Sequence, residues 1–210
     1  MTIQRSSSVR APGSLLPVAF LCALLCGACA AGPAPRDHFY RIDVALPERA
    51  EAAPAHDGIL MVERFSSDSL IRGRPILRRS SEDSLEVVPL SRQLWIDSAP
   101  VLLQGEMIDY LQVAGVAREV VSHIFRATPD WILRGHINRF EFVSTPAGNR
   151  VIVDLELRVS KPRSATALWA GTYRVERDAS SGDFENTVHA FSAALTELMA
   201  DLSEDLRQAR

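Results

Sequence analysis

The stretch WILRGHINRFEFVSTPAGNRVIVDLELRVS, residues 131–160, decides the fold. In its second half Val151, Val153, Leu155, Leu157 and Val159 alternate with Asp154, Glu156 and Arg158. Successive side chains on a strand point to opposite faces, so this is a half-buried strand of antiparallel type. The first half, residues 131–143, reads as a long strand whose apolar set changes parity near Asn138 and Arg139. One extra residue in a paired strand moves the residues after it to the other face, so the parity change predicts a β-bulge. Between the halves TPAGN, residues 145–149, carries the Pro and Gly of a turn.

Working outward, KPRSAT turns the chain into a third strand over residues 168–176. Phe184, Val188, Phe191, Leu195, Leu198 and Leu202 then recur at intervals of three and four, the spacing of an amphipathic helix that closes the domain. Upstream, Ser98 and Pro100 open a helix whose face is Leu103, Met107, Tyr110, Leu111 and Ala114, and Gly115 ends it. Residues 119–124 read as a strand after it. Before it come strands at HFYRIDV (residues 38–44) and GILMVERF (58–65), and a hairpin of RPILRRS (74–80) with SLEVVPL (84–90). The order is β-β-β-β-α-β-β-β-β-α. The expected class is α+β, an antiparallel-rich mixed sheet with two amphipathic helices packed on one face.

The other end of the chain has a different chemistry. LLPVAFLCALLCGACA, residues 15–30, holds all three cysteines, Cys22, Cys26 and Cys29. Arg5 and Arg10 precede it and no acidic residue does, which is the layout of a secretory signal peptide. The apolar run is shorter than the roughly 20 residues of a comfortable membrane span. Gly27 and Ala28 before Cys29 resemble a bacterial lipobox, with Cys26 and Leu25 in the upstream positions. Residues 1–28 are accordingly read as a lipoprotein signal peptide and Cys29 as the lipidated residue. Residues 29–36 form a tether rich in Pro, Ala and Gly, and residues 37–210 a single domain. One cysteine would then remain, leaving no disulfide within the mature chain. Several acyl chains on Cys29, palmitate among them, would anchor it durably, since each buried methylene contributes about 0.8 kcal/mol. Ala30, rather than Asp, after Cys29 favours the outer membrane, facing the periplasm.

Charge excludes further classes. The whole chain has 23 basic and 26 acidic residues; losing Arg5 and Arg10 leaves 21 against 26, a net −5. With no basic cluster interleaved with aromatics, nucleic acid is not expected as a partner. The histidines, His38, His56, His123, His136 and His189, have no ligand spacing, so neither a metal nor a cofactor is expected. No nucleophile elbow, Walker loop or dinucleotide glycine pattern is present, and no enzyme is expected. Asp154 with Glu156 reads as the solvated face of its strand rather than an acid–base pair, His136 as a satisfied or exposed histidine, and Glu141 fits either reading. The run RGRPILRR, residues 72–79, reads as the solvated edge of the hairpin, with anionic headgroups as the alternative.

One surface stands out. Leu70 and Ile71 lie in an otherwise polar loop with Arg72 and Arg74 beside them, and Trp95 stands just before the first helix. An apolar centre edged with arginine has the composition of an interface hot spot, and these five residues are the candidate partner interface. The competing reading folds Leu70 and Ile71 back onto the core and makes Trp95 its cover.

The motif order resembles the ABC-type transport auxiliary lipoproteins, the paraquat-inducible-protein-C-like family. The carriers are the lipobox, the FYRID-like first strand, ILMVERF running into SDSLIRGRPILRRS, and VVPLSRQLW before the first helix. The resemblance implies a non-enzymatic partner of the Mce-domain periplasmic component of an ABC transporter, aiding lipid transport between inner and outer membranes. Partners would be that component, the membrane through the lipid anchor, and a second copy of the chain in a homo-oligomer. The alternative is a lipoprotein regulator or scaffold in peptidoglycan synthesis or secretion.

Overall fold

The computed structural model describes residues 36–49, 53–125, 128–146, 148–180 and 182–209. The signal peptide and Cys29 lie outside them. The folded unit runs over Asp37–Arg210. Its elements are β1 (His38–Tyr40), β2 (His56–Val62), β3 (Ser66–Ser67), β4 (Pro75–Arg79), β5 (Val88–Trp95), α1 (Ala99–Val113), β6 (Ala117–Ser122), β7 (Trp131–Thr145), β8 (Gly148–Ser160), β9 (Ala167–Ala179) and α2 (Phe184–Gln208), with a 3-10 turn at His123–Phe125. The class is α+β as expected, and the element order gains only the two-residue β3.

The opening stretch forms the spine. β7 and β8 pair antiparallel, and the register shifts between Ile137 and Arg139, where the parity change placed the bulge. On β8, Val151, Val153, Leu155 and Leu157 are fully buried, while Glu156 and Arg158 face solvent. β9 pairs antiparallel with β8. On its other side β7 is met by three short parallel strands placed end to end: β2 along residues 131–133, β3 along 136–137 and β4 along 141–143. β6 lies parallel to β2, β5 antiparallel to β4, and β1 parallel to β5. The long ladders are antiparallel, yet most of the pairings are parallel. Parallel partners need crossover connections, and the one between the parallel strands β2 and β6 runs through β3, β4, β5 and α1.

Both helices contribute to one continuous core. α1 buries Leu103, Met107, Tyr110 and Leu111; α2 buries Val188, Phe191, Leu195, Leu198 and Leu202. The Phe191 ring lies 4.8 Å from Phe140 and 5.1 Å from Trp95, centroid to centroid. Gln104, buried on α1, is satisfied because its Nε2 donates to the Val62 carbonyl at 2.8 Å. Ser98 occupies the N-cap of α1 but its side chain makes no capping bond; Pro100 stands in the first turn. On α2 the Asp183 carboxylate does cap, accepting from the Glu185 amide. Gly115, at φ 65°, takes the left-handed turn that releases the chain from α1 into β6.

Candidate functional site

Between β3 and β4 the chain leaves β7 for residues 68–74, the loop that carries the candidate interface. The loop closes on itself: the Arg72 amide donates to the Asp68 carbonyl at 3.1 Å and the Gly73 amide to the Leu70 carbonyl at 3.1 Å. This folds Ile71 inward, leaving 8% of it exposed, while Leu70 stays 46% exposed beside the exposed Arg72 and Arg74. Trp95 is only 1% exposed, sandwiched by Phe140 and Phe191. Ile71 and Trp95 are therefore core residues, a correction to their place in the candidate surface. Burying a large apolar side chain gains about 1.5–3 kcal/mol, and the aromatic pocket beneath β5 was open to Trp95.

Arg74 organises what remains outside. Its Nε donates to the Trp95 carbonyl at 3.0 Å, and its guanidinium lies 5.0 Å from the centre of the Phe39 ring. Phe39 is 55% exposed and Ile96 38% exposed. β1 brings them together, since the Ile96 amide donates to the Tyr40 carbonyl at 2.8 Å. The exposed set is Phe39, Leu70, Ile96, Arg72 and Arg74. Phe39 escaped sequence reading because only the β1–β5 register sets it beside Arg74.

A second feature lies at the opposite end of the sheet. Where β7 begins and β8 ends, a half-open pocket of about 130 Å³ is lined by His56, Leu60, Val116, Ala117, Trp131, Val159, Leu168, Trp169, Leu206 and Ala209. It sits at the C-terminal ends of both helices. His56 Nε2 donates to the Leu206 carbonyl at 2.7 Å, and its ring stands 5.7 Å from that of Trp131. Trp169 stacks on Tyr173 at 6.1 Å, and the Tyr173 hydroxyl bonds to the Asp205 carboxylate on α2. Burial and then that bond hold the Tyr173 phenol above its ordinary pKa. No sequence signal marked this pocket, because its walls come from six separate segments.

The other ionisable candidates are structural. Asp154 accepts from Asn138 Nδ2 at 2.9 Å, and His136 Nδ1 contacts Ser66 Oγ at 2.9 Å. Glu141, which the sequence left open, is buried against Arg79, so Arg79 does not lie on a solvated edge as the sequence reading had it. Among the described residues no group of His, Cys, Asp and Glu is arranged to hold a metal ion, and no helix is long and apolar enough to cross a membrane.

The mixed sheet with both helices packed into one core defines an α+β module. The chain belongs to the ABC-type transport auxiliary lipoprotein component family, which it matches over residues 40–203. Its fold is shared with the crystal structure of a Xanthomonas campestris protein of family DUF330: TM-score 0.70, 20% identity, 82% of this chain and 96% of that one. A crystal structure of an uncharacterized protein aligns at TM-score 0.64 with 12% identity, covering 82% of this chain and 99% of the other. No curated protein matches the chain by sequence.

Proposed function

We propose that this chain is the non-enzymatic, membrane-anchored auxiliary component of an Mce-type ABC transport system, aiding lipid movement between the inner and outer membranes. The observation that carries the reading is the family match, which spans nearly all of the folded unit. Cys29, acylated with palmitate among its chains, holds the protein on the outer membrane facing the periplasm. Eight Cα–Cα steps separate Cys29 from Asp37, and an extended chain covers at most about 3.6 Å per step. The start of β1 is thereby kept within roughly 29 Å of the lipid. The surface of Phe39, Leu70, Ile96, Arg72 and Arg74 is the docking site for the Mce-domain component: apolar residues at the centre and arginines able to pair with carboxylates around them.

Copurification from cells carrying the whole transport operon tests this reading. An Mce-domain protein should come down with the full-length chain. Recovery of a cell-wall synthase in its place would overturn the transport assignment. Cys29→Ser should abolish labelling by radioactive palmitate; equal labelling of the variant would remove the anchor.

A further inference from the structure

The apolar pocket between the two helix ends has no role in the partner reading. We propose that it is a binding site for an amphiphile with a single aliphatic tail, the tail end seated between Trp131 and Trp169 and an anionic head, carboxylate or phosphate, at Arg207.

The walls exclude other guests. Leu60, Val116, Ala117, Val159 and Leu206 present hydrocarbon, and Trp131 and Trp169 add two indoles. Three polar groups at the rim are already engaged: His56 Nε2 with the Leu206 carbonyl, the His56 amide with the Val116 carbonyl, and the Ala55 amide with the Gly115 carbonyl. A water needs two to four partners to be held in a cavity, and these walls do not supply them. Water of that kind is favourably displaced by an apolar group. The volume, about 130 Å³, is close to the roughly 150 Å³ of an engineered apolar cavity that stays dry and takes up benzene. The pocket therefore admits the end of one chain, not a two-tailed lipid. The rest of the tail leaves past Leu168, which is 49% exposed, and Ala209.

The head has a place beside the mouth. An open polar hollow lined by Ala55, His56, Arg207, Gln208 and Ala209 shares His56 and Ala209 with the pocket. Helix C-termini ordinarily repel anions, and two of them converge here. Their carbonyls are capped, however. Arg207 Nη1 donates to the Ala114 carbonyl at 2.9 Å, and the Ala209 amide to the Asp205 carbonyl at 3.0 Å. Arg207 is exposed, and among the described residues no carboxylate pairs with it. Its charge is left for the guest. The walls are also braced before any guest arrives, through the Trp169–Tyr173 stack and the bond from Tyr173 to Asp205.

The test uses the full-length protein in dioleoylphosphatidylcholine vesicles with a palmitic acid analogue bearing a diazirine near the tail end. After irradiation, adducts should map to the peptides carrying Trp131, Leu168 and Trp169. Leu168→Glu places a charge at the mouth of the pocket, at an exposed position, and should lower labelling about tenfold, or about 1.4 kcal/mol. Arg207→Gln should lower labelling by the acid but not by the alcohol of the same chain. Thermal melting of both variants controls for folding. Adducts absent from these peptides, or undiminished in a folded Leu168→Glu protein, would overturn the site. Equal labelling by a two-tailed diazirine phosphatidylcholine would overturn the single-tail assignment. An unchanged acid signal in Arg207→Gln would overturn the head assignment. No transporter is present in the assay, so loss of the Mce partner would leave each of these outcomes as it is.

Discussion

Arg79 on β4 and Glu141 on β7 form an ion pair at 2.7 Å with 7% and 9% of their side chains exposed. The same guanidinium donates through Nη1 to the Glu82 carbonyl at 2.8 Å and the Ser84 carbonyl at 3.3 Å. The pair thus ties the loop of the β4–β5 hairpin to the central strand, on the sheet face that carries no helix. Val143 opposite Arg79 and Ile152 opposite Glu141 are buried with it.

Breaking that pair from one side strands a buried charge. Glu141→Leu should cost about 3–5 kcal/mol. Replacing both ends, Arg79→Met with Glu141→Leu, should recover most of the loss, because the desolvation cost of both charges disappears together. Urea denaturation midpoints of the two variants check this; a double variant as unstable as the single would show that the pair is not an isolated buried unit.

Gly135 on β7 has Phe65 directly over it: a Cβ there would stand 2.7 Å from Phe65 Cδ1 and 2.9 Å from Leu157 Cδ2. Both neighbours are buried and cannot swing away. Gly135→Ala should therefore destabilise by about 1–3 kcal/mol through overpacking. Chemical denaturation reads this directly, and an unchanged midpoint would mean that Phe65 has room to move.

Glu106 on α1 carries a pH signature. Burial raises its pKa above the ordinary 4.5, with Asp109 and Asp43 adding to the rise and the Val44 amide and Arg41 opposing it. The folded protein then holds the proton more tightly than the unfolded chain. This contribution to stability is full below the unfolded value and is lost as pH rises through the folded one. Glu106→Gln should remove that slope and flatten stability over the interval just above 4.5. Denaturation midpoints measured across mildly acidic pH check it, with parallel curves for both proteins as the contrary result.

The exposed surface around Arg74 should separate folding from binding. Phe39→Ser with Leu70→Asp alters residues that are 55% and 46% exposed, so stability should shift by no more than about 0.5 kcal/mol per site. Capture of the proposed Mce-domain partner should fall sharply. A melting drop comparable with that of Leu195→Ala, a fully buried residue whose truncation should cost about 2–5 kcal/mol, would make the surface structural.

Much of the fold was legible because its signals are local. The β8 alternation, the Asn138–Arg139 parity change and the spacing of Phe191, Leu195 and Leu198 each follow from one element meeting one apolar face. β3 was not legible: two serines carry no periodicity, and they pair only because β7 has a free edge between β2 and β4. Of the candidate interface, Leu70, Arg72 and Arg74 lie at the surface. Ile71 and Trp95 do not, since exposure depends on what the rest of the chain leaves uncovered.

By itself the sequence determined the element order apart from β3, the apolar faces of β8 and of the two helices, and the motif order that the family match bears out, all properties of residues near one another along the chain. The tertiary structure alone decided the parallel pairings along β7, the burial of Trp95 and of the Arg79–Glu141 pair, the meeting of Phe39 with Arg74, and the pocket beneath Trp131 and Trp169. Each of these joins segments far apart in sequence, and contact between them is selected by the packing of the whole domain.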